Sequence, residues 1–525
     1  MEAARRLFLA QTARYVALSA AGFALPGQAL RARAPDERYP FGLGVASGAP
    51  LPDAVVIWTR IISDPLDATP AAPLALAVRW EVAADEGFSR IVAKGSATAL
   101  PQLAHSVHVD VRGLSPDRWY WYRFMLADAV SPVGRTRTAP AAGALPPGLR
   151  LAVASCQHWE FGSYAAHRHI ASASPDLVAF LGDYIYEWGA YHLRHPSRAR
   201  RVSESFTLDD YRRRYAQYKS DRNLQAAHHA APWIVTWDDH EVANDYAGDR
   251  DERLDAQFRQ RRAAAYQAFY EHMPVRMIAR ANDFANARIY QRYDWGRLAR
   301  FHVLDSRQYR SVQACTPTSR GGSSSVWRHA CAALADPKRS LLGREQEGWL
   351  DEGLRRSPAR WNIIAQQTLM AQSTQARIVR AVDGRFWTDG WDGYSAARTR
   401  LLESLRGVSN PVVLGGDVHT FYANELRADF SRPVSRANPV VATEFVGTSV
   451  TSSSRPQART EQYVEMNPHV KYGRSDRRGY MLMEFTPGGT RTMFMGLDDV
   501  ADERSGIATL ASFRVRDGRP GPERV

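Results

Sequence analysis

The chain has 525 residues, of which 45% are hydrophobic, 10% aromatic and 23% charged. Such a composition can bury a large core and excludes a wholly disordered chain, and the length suits a small domain beside a large one. The formal charge is +13, from 68 Lys and Arg against 55 Asp and Glu, but the basic residues are scattered, no block of them forms a nucleic-acid arm, and no apolar run reaches the ~18 residues of a membrane span.

Residues 1–34 open on a basic stretch, Met1 to Leu9. They continue through a weakly apolar one, Tyr15 to Leu25, and close on small residues, with Ala32-Arg33-Ala34 as one Ala-x-Ala cleavage site. That order makes an export signal. The plainer alternative, an amphipathic first helix, lacks a helical stripe. Arg5-Arg6-Leu7-Phe8-Leu9 resembles the twin-arginine signal. The resemblance implies that the folded protein leaves by the twin-arginine machinery and is periplasmic or secreted.

Residues 39–138 predict an all-β domain. Ala54–Trp58 is a short apolar run, Ala77–Val82 partly alternates, and Val107–Val111 alternates cleanly. Short strands with turns every 8–12 residues suggest a β-sandwich. The turn Gly113-Leu114-Ser115-Pro116, leading into the aromatic strand Trp119–Phe124, resembles fibronectin type III and immunoglobulin-like domains. Residues 139–149, rich in Ala, Pro and Gly, read as a linker.

From residue 150 to 525 apolar runs alternate with helical patterns. The runs are Leu151–Ala154, Leu177–Leu181, Trp233–Val235, His302–Leu304, Trp361–Ala365 and Pro411–Leu414. Continuous apolar runs are buried strands, here expected to be covered by helices on both faces. Tyr211, Tyr215 and Tyr218 share one face of such a helix. The prediction is a layered α/β/α domain. Cys315 and Cys331 flank the Gly/Ser-rich stretch Gly321–Ser325 and can pair in an oxidising compartment; Cys156 is then left over, either buried and inert or reserved for chemistry.

The residues after the runs carry the chemistry. Ser155-Cys156 follows the first, Gly182-Asp183-Tyr184-Ile185-Tyr186 the second, and Asp238-Asp239-His240-Glu241-Val242-Ala243-Asn244 the third; Gly415-Gly416-Asp417-Val418-His419 ends the last. In layered α/β folds ligands bind beyond the carboxyl ends of strands. Asp417 and His419, two apart, reach one point if the backbone is extended. Cys156, Asp183, Tyr186 and Asp417, gathered in one place, would need cations to offset their charge. Each piece alone also has a plainer reading: a turn at Gly182-Asp183, a core histidine at His419, a helix cap at Asp238-Asp239-His240, a small buried hydrophobe at Cys156.

Together these pieces resemble the alkaline phosphatase D (PhoD-like) family. The matching segments are Ser155-Cys156-Gln157, Leu181–Glu187, Trp237–Asn244, Leu304-Asp305-Ser306-Arg307, Trp391-Asp392-Gly393-Tyr394 and Leu414–His419. The resemblance implies an exported phosphoester hydrolase acting through metal-activated hydroxide, with a core similar to that of purple acid phosphatases. Carried over residue by residue, it implies that Cys156, Asp183, Tyr186 and His419 hold Fe3+, and that Asp183 bridges to a Ca2+ site built with Asn244 and Asp417. Thiolate and phenolate suit Fe3+, and carboxylate and amide oxygens suit Ca2+. Asp239, His240 and Arg307 are candidates to stand behind the ligands or touch the phosphate, and His240 alternatively to protonate the leaving oxygen. The rival expectation, a binding protein on a dead phosphatase fold, predicts lost ligands, and every one is present. The segment between Cys315 and Cys331 has no counterpart in the resemblance.

Overall fold

The computed structural model describes residues 39–62, 73–189, 203–280 and 283–525. The predicted export signal at 1–34 lies outside them.

The strand Leu149–Ala154 sets the pattern of the large domain. Its side chains alternate, as any strand's must, so Leu151 and Val153 face one way and Ala152 and Ala154 the other. Both faces are apolar and both are covered. It pairs in parallel with Leu177–Phe180, which pairs in parallel with Trp233–Val235. On its other side it pairs antiparallel with Gly479–Thr486. These strands are the middle of a ten-stranded sheet. A second sheet has seven strands; in it Ala299–Val303, Trp361–Ala365, Pro411–Gly415 and Ala442–Val446 run parallel in that order.

The two sheets pack face to face. Leu151, Val153, Ala179 and Ile234 of the first share one apolar cluster with Phe301, Ile363, Val412 and Phe445 of the second. Helices cover the outer faces. Tyr211, Tyr215 and Tyr218, on the helix Leu208–Lys219, pack with Phe269 over Val178 and Phe180. Leu350, Leu354, Leu401 and Leu402 pack over Ile364 and Val413. The class is α/β, but each sheet has helices on one face and the other sheet on the other. This corrects the expectation of helices on both faces. A strand apolar on both sides records that both are covered and not by what. Among the described residues no helix is long and apolar enough to cross a membrane.

The described part of residues 39–138 forms strands and one short 3-10 turn. Leu76–Ala83, Ile91–Ala99, Trp119–Leu126, Ala129–Val130 and Gly134–Arg137 make one sheet. Val45–Leu51, Ala54–Arg60 and Ser106–Arg112 face it across a cluster that includes Val55, Ile57, Val78 and Tyr122. These last three strands are also the end of the ten-stranded sheet, which they join where Gly48 pairs with Trp233. A side chain at residue 48 would put its Cβ 2.4 Å from the Pro274 carbonyl oxygen and 2.6 Å from that of Trp233, so only glycine lets the strands approach.

His302 lies on the outer face of the second sheet. It is wholly buried, its ring 6.2 Å from that of Trp349. Burial first, then Arg292 and Arg300, lowers its pKa to about 3. A neutral buried imidazole stabilises the fold fully above the ordinary value of 6.5, and that contribution is lost as pH falls from there toward about 3. His302→Leu is expected to shallow the acid limb of the stability profile by about one proton's worth of slope, read by calorimetry between pH 7 and 4. An unchanged slope would show that another group titrates.

Candidate active site

Strand ends from both sheets open on the same cleft. The backbone reaches it through unusual conformations. Cys156, Asp183, Asp417 and His419 have φ of 61°, 56°, 63° and 53°, the left-handed region that costs a non-glycine residue of order 1–3 kcal/mol when held there. The chain therefore turns sharply just past each strand and aims the next side chain inward. Gly182 makes one of these turns possible. Its φ is 100°, and a Cβ there would sit 2.5 Å from that of Asp238. The loops after Leu177–Phe180 and Trp233–Val235 can touch only because residue 182 has no side chain.

Glu241 ties the two loops together. Its buried carboxylate accepts the backbone N–H groups of Asp183 (3.1 Å), Tyr184 (2.5 Å) and Asp238 (2.7 Å). Nearby, Tyr186 donates its hydroxyl to Asp183 Oδ2 (2.9 Å) and accepts from Ser452 Oγ (2.7 Å). His419 Nε2 lies 3.3 Å from the same phenol oxygen. His419 Nδ1 donates to the Ser453 carbonyl (2.6 Å), so the proton sits on Nδ1 and Nε2 offers a lone pair. Desolvation holds this imidazole neutral, with its pKa pushed down to about 3. Burial pushes the Cys156 thiol up, and the charges of Asp183 and Asp417 add to that.

Three groups of donors follow one another through the cleft. Cys156, Asp183 and His419 bring one donor atom each within 4.8 Å of the others; so do Asp183, Asp239 and His240, and so do Asp238, Asp239 and Asp417. Asp183 belongs to the first two and Asp239 to the last two, so the groups are contiguous. Asp417 is held by Thr368, whose hydroxyl donates to its Oδ2 (2.6 Å); burial pushes its pKa up to about 7. Asn244 donates its amide nitrogen to Glu252 Oε1 (3.0 Å), which assigns the side-chain orientation, and its backbone N–H to Glu187 Oε1 (2.7 Å).

His240, Arg307 and Arg310 are cations within this acid, Arg310 pairing with Asp389 at 3.1 Å. His240 Nδ1 donates to Glu187 Oε2 (2.8 Å), and its ring stacks on Tyr186 with centroids 4.1 Å apart. Burial opposes a charge on His240, but Asp239, Glu187 and Asp183 outweigh it and raise the pKa well above 6.5. Arg307 is almost wholly buried. Its Nε meets Asp238 (2.5 Å), one terminal nitrogen meets Asp389 (2.8 Å), and the other lies 3.4 Å from Asp239 and 3.9 Å from Asp417. It braces carboxylates rather than reaching into the cleft. For Asp239, burial favours the neutral form, but Arg307 and His240 win and hold it ionised.

The donor set fits cations. Asp183 Oδ1, Asp238 Oδ2 and Asp239 Oδ1 are buried and accept no hydrogen bond, a deficit of about 1–3 kcal/mol each. Acid outnumbers base here, and thiol, phenol, imidazole and carboxylate are all metal donors.

Sequence reasoning missed several residues. Asp238 reads from the sequence as part of a helix cap, and Glu187 and Glu241 carry no role of their own within the matching segments. Asp389, Thr368 and Ser452 give no local signal; they arrive from distant loops. The Cys315–Cys331 bond is formed, and Cys156 is free and buried. The loop so closed lends Ser323, whose backbone N–H and hydroxyl both donate to Asp245 Oδ2. Asp245 in turn donates its N–H to Asp239 Oδ2 (2.7 Å).

Comparison with known proteins agrees across most of the chain. Residues 151–494 match the family model described as PhoD-like phosphatase, and residues 27–140 match that of the PhoD-like phosphatase N-terminal domain. The chain is 43% identical over 501 residues to alkaline phosphatase D of Bacillus subtilis (strain 168), covering 93% of this chain and 82% of that protein. A solved structure titled Structure of PhoD superposes with a TM-score of 0.86 at 42% identity, covering 95% of this chain and 93% of the other.

Removing the guanidinium leaves buried carboxylates without their counter-ion. Arg307→Met is expected to destabilise the protein by about 3–5 kcal/mol, read by chemical denaturation with a chelator present. Unchanged stability would mean that Arg307 does not balance this charge.

Proposed function

Because the chain belongs to the PhoD-like phosphatase family and is a phosphoric ester hydrolase, we propose that it cleaves its esters in the cleft just described, on metal ions held by the strand-end residues. One observation carries this reading: Cys156, Asp183 and His419 bring donor atoms within 4.8 Å of one another, with the Tyr186 hydroxyl bonded to Asp183. Cys156, Asp183, Tyr186 and His419 would hold Fe3+, the ion that thiolate and phenolate favour. Asp183, Asn244 and Asp417 would hold Ca2+, with Asp238 a further oxygen donor beside Asp417. Bound there, the cations supply Lewis acidity, which acidifies water and neutralises negative charge at phosphorus.

The remaining work falls to side chains of the chain itself. Glu187 fixes the ring of His240 through Nδ1, so the acidic proton of the imidazolium is on Nε2, the atom proposed to give it to the leaving oxygen. Asp239 keeps that proton in place by its charge and is itself set by the N–H of Asp245. Arg307 braces Asp238, Asp239 and Asp417 and keeps Asp239 ionised while staying out of the substrate's way.

Two wider features belong to the same proposal. Residues 39–138 are read as a fibronectin III-like or immunoglobulin-like sandwich, 139–149 as a linker and 150–525 as the catalytic domain. Residues 1–34 are read as a twin-arginine signal that takes the folded enzyme to the periplasm or outside. The disulfide supports that destination, since such bonds persist in oxidising compartments.

Cys156→Ala and Asp183→Ala are expected to lose iron, measured by elemental analysis, and to lose at least about 100-fold in hydrolysis of bis-p-nitrophenyl phosphate. A variant that keeps both iron and rate overturns the ligand assignment. His240→Asn is expected to lose about 100-fold on an alkyl ester, which needs a proton for its leaving group, and far less on a p-nitrophenyl ester, which does not. Equal losses on the two would remove His240 as the acid.

A further inference from the structure

The segment between Cys315 and Cys331 carries the strand Ser325–Trp327, which pairs antiparallel with Arg385–Trp387. Its inner side is ordinary packing: Phe386 and Val326 lie in a small cluster with Cys331. Its outer side is not. Trp327 and Trp387 each leave 45% of their surface open, and in this register they stand on the same face, opposite Arg385 and Ser325. A large aromatic left in water has an apolar surface to spare.

Trp387 also lines a cavity of about 410 Å3 whose lining includes Asp417 and His419. At about 30 Å3 per water, that is room for about a dozen waters, far more than a phosphoryl group of five heavy atoms fills. Arg455 lines the same space. Among the described residues it has no carboxylate partner, and its guanidinium lies over the ring of Tyr463, 4.9 Å from the centroid. One cavity thus brings together metal donors, a cation without a carboxylate partner among the described residues, and the open face of an aromatic ring. A phosphodiester with a ring-bearing alcohol presents an anion and a flat apolar surface, and this lining holds a partner for each.

We propose that Trp387 is the ring-binding wall of a leaving- or retained-group subsite, and that the substrates this cleft prefers are phosphodiesters whose alcohol carries a planar aromatic ring of the nucleobase kind. This rests on the reading of the cleft as the ester-cleaving site. The disulfide-closed segment then acts as a support, since its strand Ser325–Trp327 buttresses the strand on which Trp387 stands.

The test compares two monoester products as competitive inhibitors of bis-p-nitrophenyl phosphate hydrolysis: thymidine 5′-monophosphate, which has the ring, and methyl phosphate, which lacks it. In the parent enzyme the thymidine ester is expected to bind more tightly. In Trp387→Ala the ratio of the two inhibition constants is expected to fall about tenfold, as loss of one aromatic–base stack implies, and Trp387→Phe is expected to restore most of it. Quenching of tryptophan fluorescence by thymidine 5′-monophosphate is expected to weaken in Trp387→Ala. A ratio near one in the parent, or a ratio unmoved in Trp387→Ala while the ester is still hydrolysed, overturns the ring subsite and leaves the site reading standing. A parent enzyme that hydrolyses no ester overturns both.

Discussion

A single guanidinium facing four carboxylates organises this molecule. Arg307 touches Asp238, Asp239, Asp389 and Asp417, which come from three separate loops, and all are deep in the protein apart from the partly open Asp417. Arg310 shares Asp389 and His240 faces Asp239, yet the acids still outnumber these cations, and the cleft keeps buried carboxylate oxygens that accept no hydrogen bond. A surplus of that kind is tolerable only where cations can enter. Much of the surrounding architecture holds this arrangement in register: Glu241 stitching two loops through three backbone N–H groups, Thr368 steadying Asp417, Asp245 steadying Asp239.

The parts of this that could be read from the sequence are those where chemistry and chain position coincide. Gly182-Asp183 and Asp417-Val418-His419 follow apolar runs directly, so a strand end and a donor are adjacent in the sequence. The tyrosines at 211, 215 and 218 declare their helix face by spacing alone. The resemblance of several such segments to one family named the reaction, and the family comparison agrees with it. What stayed hidden depends on tertiary meetings. Nothing near Asp389 marks it as a partner of Arg307, because the two are linked only through folding of the chain between them. Arg307 itself read either as a brace behind the ligands or as a phosphate contact. An arginine at a strand end is equally suited to bracing acids, and only the position of its neighbours decides. The second sheet was missed for a related reason, since apolarity on both faces of Leu151–Ala154 is the same whether helices or strands lie above it.

The front of the chain is less separate than its composition suggests. Three of its strands extend the ten-stranded sheet, and the junction is a backbone contact at Gly48 that no side chain would tolerate. Hydrogen bonding thus passes from the sandwich toward the strands that carry Cys156, Asp183 and Asp238. The segment closed by Cys315 and Cys331 has a comparable reach. It supplies Ser323 to the chain of contacts behind Asp239 and a strand to the wall that Trp387 occupies.

Four of the proposed ligands, Cys156, Asp183, Asp417 and His419, occupy backbone conformations that suit glycine better. Glycine at any of these positions would relax the main chain and at the same time delete a donor. Stability and metal-donor chemistry therefore pull in opposite directions at the same four positions. At these positions a gain in main-chain comfort and the loss of a metal donor would arrive in one substitution.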